Sequence, residues 1–407
     1  MIDVAVMGYG VVGSGVVEIL TNKRDQISNK AQKEINLKYI LDIRDFEDSP
    51  FADKFTKNFE DILNDEDVKV VAELIGGLYP SFEFVKRCLE AGKNVVTSNK
   101  ELVAKKGAEL IKLAKENNVN FLFEASVGGG IPIIRPLTQC LVANDILEIT
   151  GILNGTTNFI LTKMIKEEMS FEDALSLAQE LGYAERDPSA DIDGDDACRK
   201  ICILSSLVLG EHIYPEDVFT RGIRNIKLCD VAYADKAGYI IKLIAKAKKI
   251  SNEKLEVVVE PMFVKKDNQL ANVDDVFNAV LVNGDATGDV MFYGKGAGKL
   301  PTASAVVADI IDCAKHIKAR KYLYWEDKKN SHVVDYSENI VSNYIRVSGD
   351  DASKVEEVFS NVQFIKPEKD NEIAFITEDM TVSQAKKKCI ALEKSGMIMK
   401  SVIRVNK

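Results

Sequence analysis

Between Leu181 and Lys200 the chain reads LGYAERDPSADIDGDDACRK, and then continues as the uncharged ICILSSLVLG. Asp196 and Lys200 are four residues apart, on one face of the helix predicted to start at Asp195 or Asp196, with Ile203, Leu204 and Leu207 continuing the stripe. A helix apolar all round is a buried helix, so Lys200 is expected at an inner edge of the protein and not on a solvated face. Burial penalises the charged form of a lysine and makes it a proton donor and acceptor, while Asp196 would keep the ammonium in place. An acid–lysine pair at this spacing also serves as a plain helix fastener. Glu185, Asp187, Asp191 and Asp193 in the preceding loop tip the reading toward chemistry, because several carboxylates beside a partly buried lysine suit a substrate with an amino group.

A second lysine, Lys100, follows the strand-like NVVTSN. A cation at a helix start opposes the helix dipole, which asks for a reason beyond helix formation. At the N-terminus, VAVMGYGVVGSGVVEIL sets Gly8, Gly10 and Gly13 in GxGxxG spacing after a strand and at the opening of a helix. Gly8 permits the tight turn, Gly10 lets backbone approach a pyrophosphate, and Gly13 lets helix and strand pack closely. The second strand ends ILDIRD, where an acid would take a ribose 2′-hydroxyl and an arginine a 2′-phosphate. Asp42, Arg44 and Asp45 are all candidates, and Arg44 tilts the choice toward NADP, with NAD open.

The elements that must carry these groups follow from pattern. Up to Gly130, near-continuous apolar strands alternate with helices, as in a doubly wound parallel sheet. The middle region mixes strands with helices, among them SFEDALSLAQELG, opened by Ser170 and Asp173 in capping-box spacing and stopped at Gly182. The tail from about Ile340 reads βαββαβ, the order of a ferredoxin-like module. The expected class is α/β, divided as 1–130 (joined by a return helix at about 301–319), 131–320 as an α+β substrate and dimerisation domain, and 338–407.

Bulk properties exclude several classes. The net charge of −10 argues against non-specific nucleic-acid binding. No apolar run is long enough to span a bilayer, and MIDVAVMGYG enters a strand with no basic leader, so a cytoplasmic protein is expected. Seven scattered cysteines offer no CxxC pair, and Cys198 and Cys202 read as core thiols. His212, His316 and His332 are far apart and form no metal motif.

Taken together, GYGVVGSGVV, VVTSNKELVA, FEASVGGGIPII, GILNGTTNFIL, GYAERDPSADIDGDDACRK and FYGKGAGKLPTASAV resemble the homoserine dehydrogenase family over nearly the whole chain. The resemblance implies reversible NAD(P)H-dependent reduction of L-aspartate 4-semialdehyde to L-homoserine, on the path to threonine and methionine. It implies Lys200 as general acid and base, Lys100 beside substrate and nicotinamide, and Asp196 holding that network. Glu185, Asp191, Tyr183, Gly155 and Thr156 would bind substrate. Gly8, Gly10, Val11, Val12, Gly13, Arg44, Ile75, Gly76, Lys100, Gly182 and Gly298 would bind cofactor. A structural monovalent cation, sodium in the family, would sit near Glu124, Val127, Gly129 and Ile131, largely on backbone carbonyls. A homodimer or homotetramer is expected.

The tail resembles an ACT domain, a module that senses amino acids. Its loop SGDDASKVEEVF has no proline or glycine after the acids, so effector binding and a purely oligomerising role both stay open. The competing readings are another Rossmann oxidoreductase and a non-catalytic nucleotide-binding amino-acid sensor. The second would be marked by loss of Lys100, Asp196 or Lys200, and all three are present.

Overall fold

The computed structural model describes residues 1–320, 323, 325–328 and 332–406, so Lys407, the last residue of the expected tail, lies outside the described residues. The chain forms two compact units: Met1–Ile146 with Arg199–Pro215 and Gly284–Asn330, and Leu147–Cys198 with Glu216–Asn283 and Ser331–Lys407.

The first unit holds strands β1 (Ile2–Met7), β2 (Ile35–Leu41), β3 (Phe55–Thr56), β4 (Val68–Glu73), β5 (Asn94–Thr97) and β6 (Phe121–Leu122). They pair in parallel in the order β3-β2-β1-β4-β5-β6. This is the doubly wound sheet that the alternating pattern predicts. Its order reverses between β1 and β4, where such sheets open a ligand crevice at their carboxyl ends. β1 and β4 read as near-continuous apolar runs, broken by Asp3 and by Lys69 and Glu73, because both faces are covered, and Val4, Val6, Val70 and Ala72 lie in one core with Val16 and Val17 of α1 (Val11–Asn22). The helix Lys299–Lys315 returns to this core through Ala303, Val306, Val307 and Ile310. Gly15 makes that approach possible, since a Cβ there would stand 2.9 Å from the Lys299 carbonyl. The remaining helices are α2 (Arg24–Ala31), α3 (Phe59–Leu63), α4 (Ser81–Glu90) and α5 (Lys100–Glu116).

The second unit is built on a mixed sheet. It runs through Phe277–Gly284, Ile146–Ile152, Tyr239–Ser251 and Lys254–Lys265. It continues without a break into the tail strands Ile398–Asn406, Ile340–Ser348, Glu372–Thr377 and Val362–Ile365. In the tail's own chain order these are strands four, one, three and two, with helices Ala352–Val358 and Val382–Lys394 between them. That is the ferredoxin-like arrangement, packed around Ile345, Val355, Phe359, Phe375 and Leu392. The joint is parallel pairing of Met262 with Arg404 and Val264 with Asn406. Helices α6 (Gly155–Lys166), α7 (Phe171–Glu180), α8 (Ser189–Ile192) and α10 (Leu228–Lys236) accompany the sheet, and α9 (Asp195–Leu209) begins in this unit. Among the described residues no helix is long and apolar enough to cross a membrane.

Candidate active site

The glycine turn has the backbone its spacing predicts. Gly8 lies at φ +97°, and a Cβ there would meet the Leu74 carbonyl at 2.7 Å, while one on Gly13 would meet the Gly8 carbonyl at 1.9 Å. Gly10 caps α1 with open space around its Cα, and Val11, at the first helical position, is 68% exposed, with Val12 half-buried beside it. The N-terminus of α1 is therefore open to an anion.

At the end of β2, Asp42 accepts the Tyr9 amide at 2.8 Å and is clasped by Arg44, whose Nε and Nη2 each donate to it at 2.9 Å. Arg44 Nη2 also reaches the Tyr9 carbonyl at 3.0 Å, and its guanidinium lies over Phe46. Arg44 holds the Asp42 carboxyl well below the usual carboxylate range, so that acid is an anion committed to the turn. The exposed guanidinium is left as the outward-facing charge.

A buried network that the sequence does not announce sets the turns after β4 and β5. Glu73 Oε1 accepts the amides of Ile75 at 2.9 Å and Gly76 at 3.3 Å, and its Oε2 accepts Thr97 Oγ1 at 2.7 Å. Asn99 then bonds the Gly77 carbonyl at 2.6 Å and caps α5 through Leu102. Lys100 is the first residue of α5. The neighbouring Glu101 pairs with Arg199 of α9 at 3.7 Å, so Lys100 and Lys200 lie next in sequence to the two ends of an ion pair that joins these helices.

Lys200 is 7% exposed and Asp196 2% exposed, followed by fully buried Ile201, Cys202 and Leu204. The inner-edge placement expected from the sequence is what the fold gives. α9 starts at Asp195, after Gly194 at φ +95°, where a side chain would press on Thr220.

On the second unit, Asn154 Nδ2 donates to Asp191 Oδ1 at 2.7 Å and to Asp196 Oδ2 at 2.9 Å. Its Oδ1 caps α6 by accepting the Thr157 amide at 2.8 Å. Thr156 Oγ1 holds the Tyr183 carbonyl at 2.7 Å, and the exposed Tyr183 ring packs edge-on against Phe159. Gly155 fits under the Val276 carbonyl, which a Cβ would meet at 2.8 Å, and Gly182 ends α7 at φ +73°.

The acidic cluster divides. Asp187 accepts the Ser189 amide at 3.1 Å in the turn before α8, and Asp193 is paired with Arg224, whose Nη2 lies 2.8 Å from Oδ2. These two acids build the loop, correcting their grouping with a substrate pocket. Glu185 is exposed, and Asp191 is drawn inward by Asn154.

The glycine strap around the expected cation has a separate logic. Both oxygens of the buried Glu124 carboxylate are taken by backbone amides, those of Ile133 at 2.7 Å, Ile134 at 2.8 Å and Arg135 at 2.8 Å. Asp309 of the return helix accepts the Glu124 amide at 2.9 Å and pairs with Arg135, and burial pushes its carboxyl up to about 7. Within the strap the Ser126 amide donates to the Phe123 carbonyl, the Ile131 amide to that of Gly128 and the Gly130 amide to that of Lys295. The Glu124 side chain is thus spent on backbone amides. No group of three or more His, Cys, Asp or Glu side chains suited to a metal occurs among the described residues. Gly298 lies at φ +127° and caps the helix Lys299–Lys315.

Comparison with known proteins agrees with this geometry. The family model for the homoserine dehydrogenase NAD-binding domain matches residues 8–124, and that for homoserine dehydrogenase matches residues 132–311. The homoserine dehydrogenase of Synechocystis is 45% identical over 319 residues, 76% of this chain and 73% of the relative. A homoserine dehydrogenase structure from Thiobacillus denitrificans aligns at TM-score 0.92 and 33% identity, covering 100% of this chain and 98% of that one. A hyperthermophilic archaeal homoserine dehydrogenase mutant in complex with NADPH aligns at TM-score 0.66 and 30% identity, covering 77% and 97%. The chain belongs to the homoserine dehydrogenase family, NAD(P)-dependent oxidoreductases that interconvert L-aspartate 4-semialdehyde and L-homoserine.

Proposed function

We propose that Lys200 is the general acid and base of this reaction. The observation that carries the reading is a lysine buried to 7% exposure, one helical turn after a carboxylate, Asp196, that Asn154 ties to Asp191. In reduction Lys200 Nζ gives its proton to the aldehyde oxygen, and in oxidation it takes the hydroxyl proton. A bound nicotinamide supplies or accepts the hydride, so the chain needs a proton source and rigid positioning but no nucleophile of its own. Asp196 holds the ammonium form of Lys200, and Lys100 orients substrate. Glu185 and Asp191 take the ammonium and hydroxyl ends, with Tyr183, Gly155 and Thr156 closing around them.

Gly8, Gly10, Val11, Val12, Gly13, Ile75, Gly76, Gly182 and Gly298 contact the cofactor in this reading. Arg44, held over Phe46 with an exposed guanidinium, favours a 2′-phosphate and hence NADP over NAD. The complex of the archaeal relative with NADPH supports that preference. A monovalent cation, sodium, would be held near Glu124, Val127, Gly129 and Ile131, largely by backbone carbonyls, and would stiffen the strap. The proposed parts are the nucleotide-binding residues 1–130 with the return helix, the substrate and dimerisation residues 131–320, and the regulatory or oligomerising tail 338–407. The protein works in the cytoplasm as a homodimer or homotetramer.

The test is loss of NADPH absorbance with L-aspartate 4-semialdehyde, run beside a panel of other aldehydes and ketones and repeated with NADH. Turnover of the semialdehyde with lower KM for NADPH than for NADH is expected. Turnover of another carbonyl compound alone would overturn the substrate, and NADPH binding without turnover of any would move the sensor reading forward.

A further inference from the structure

Asn154 has a position that helix capping alone does not explain. A side-chain amide offers one acceptor oxygen and two donor hydrogens. The oxygen faces α6, where the Thr157 amide donates to it at 2.8 Å and Thr157 Oγ1 at 2.9 Å. A backbone N–H can only donate, so this fixes the orientation of the amide and turns both hydrogens the other way. There they meet two carboxylates from two different elements, Asp191 of α8 at 2.7 Å and Asp196 of α9 at 2.9 Å. Asn154 is itself 5% exposed.

Two ionised carboxylates brought this close repel each other, and each would take up a proton more readily than in water. A neutral donor shared between them removes that tendency without adding charge. We infer that Asn154 is a positioning residue for the reaction: its amide fixes the spacing of Asp191 and Asp196 and keeps both ionised for substrate and lysine. The inference rests on the function proposed above.

The two jobs of Asn154 separate by substitution. Aspartate and serine cap helices about as well as asparagine, but neither can donate to two carboxylates at once. Both variants should therefore keep the α6 cap and fold, with Asn154→Asp, which sets a third carboxylate beside two others, melting below Asn154→Ser at neutral pH. Both should lose about ten- to a hundredfold in kcat/KM for the semialdehyde, the scale of a lost hydrogen bond to a charged group, with the KM for NADPH unchanged. In Asn154→Asp the third carboxylate should also move the acidic limb of the pH–rate profile upward, while Asn154→Ser, which adds no charge, should leave that limb nearer its original place. If Asn154→Asp keeps the parent rate and profile, the residue is a helix cap and the inference fails. If the parent does not turn over the semialdehyde, the proposed reaction fails, and the tether is judged by carboxyl-carbon NMR titration of Asp191 and Asp196. Both should titrate higher in Asn154→Asp than in the parent, and unchanged titration would overturn the tether.

Discussion

Lys242 is more deeply buried than Lys200, yet its ammonium is committed to structure. It donates to the Val273 carbonyl at 2.5 Å and to Asn158 Oδ1 at 3.1 Å, with Asp274 3.6 Å away. Asn158 in turn holds the carbonyls of Val273 and Asp275, each at 3.0 Å, so Lys242 braces α6 against the turn that runs over Gly155. Burial lowers the Lys242 ammonium to about 8 from an ordinary 10.5. Between those values the unfolded chain binds the proton and the native state does not, so stability rises with pH across that window. The parent should gain up to about 3 kcal/mol over a Lys242→Met variant between pH 8 and 10 by chemical unfolding. A flat difference would place the ammonium in solvent. Arg44 makes a second residue-scale prediction: Arg44→Ala should raise the KM for NADPH about tenfold or more, with the KM for NADH little changed. Equal effects on the two cofactors would remove Arg44 from the choice between them.

At the scale of elements, glycines mark where backbones come closest. Gly15→Ala drives a methyl to within 3.0 Å of Ala303 Cβ and closer to the Lys299 carbonyl, at the crossing of α1 and the helix Lys299–Lys315. It should cost about 1–3 kcal/mol by thermal or denaturant melting, as overpacking does. A variant as stable as the parent would show that the crossing can slide apart. The sequence foretold such features where one backbone rule decides the outcome. Gly8 and Gly13 are dictated by the turn they occupy, Ser170 by the cap it supplies to Asp173, and Lys200 by the bare apolar run after it. It was silent where the deciding partner lies far along the chain. Asp193 looks like a pocket acid until Arg224 arrives 31 residues later, and Glu73 looks like a strand end until Thr97 reaches it. Asn154 has the sequence signature of any helix cap, so its second role was invisible until Asp191 and Asp196 came in from other elements.

At the scale of the whole molecule, the tail is built into the second unit. Arg404 on the last strand pairs with Glu256 at 2.5 Å, with Glu260 at 3.5 Å, and Arg221 reaches the Val402 carbonyl at 3.1 Å. A second joint is buried around Asp230, which accepts from Arg346 Nε at 3.0 Å and Tyr344 at 3.1 Å, while Arg346 also pairs with Glu372. Burial raises the Tyr344 hydroxyl well above its ordinary range, so it donates at every pH the fold survives. Asp230→Ala takes one of two carboxylates from the buried Arg346 guanidinium and should cost about 1–3 kcal/mol in chemical unfolding. A loss below about 1 kcal/mol would mean that the joint opens to water. The βαββαβ order was readable from local pattern, but pairing of residues 398–406 with 254–265 was not, because nothing local specifies a partner so far away.

The most direct test of the central claim is the rate of Lys200→Ala in NADPH oxidation with L-aspartate 4-semialdehyde, measured beside the parent under saturating cofactor. The account predicts an active parent and a loss of about two to four orders of magnitude in kcat, with NADPH binding retained, as for a missing general acid. A Lys200→Ala enzyme that keeps most of the parent rate would contradict it.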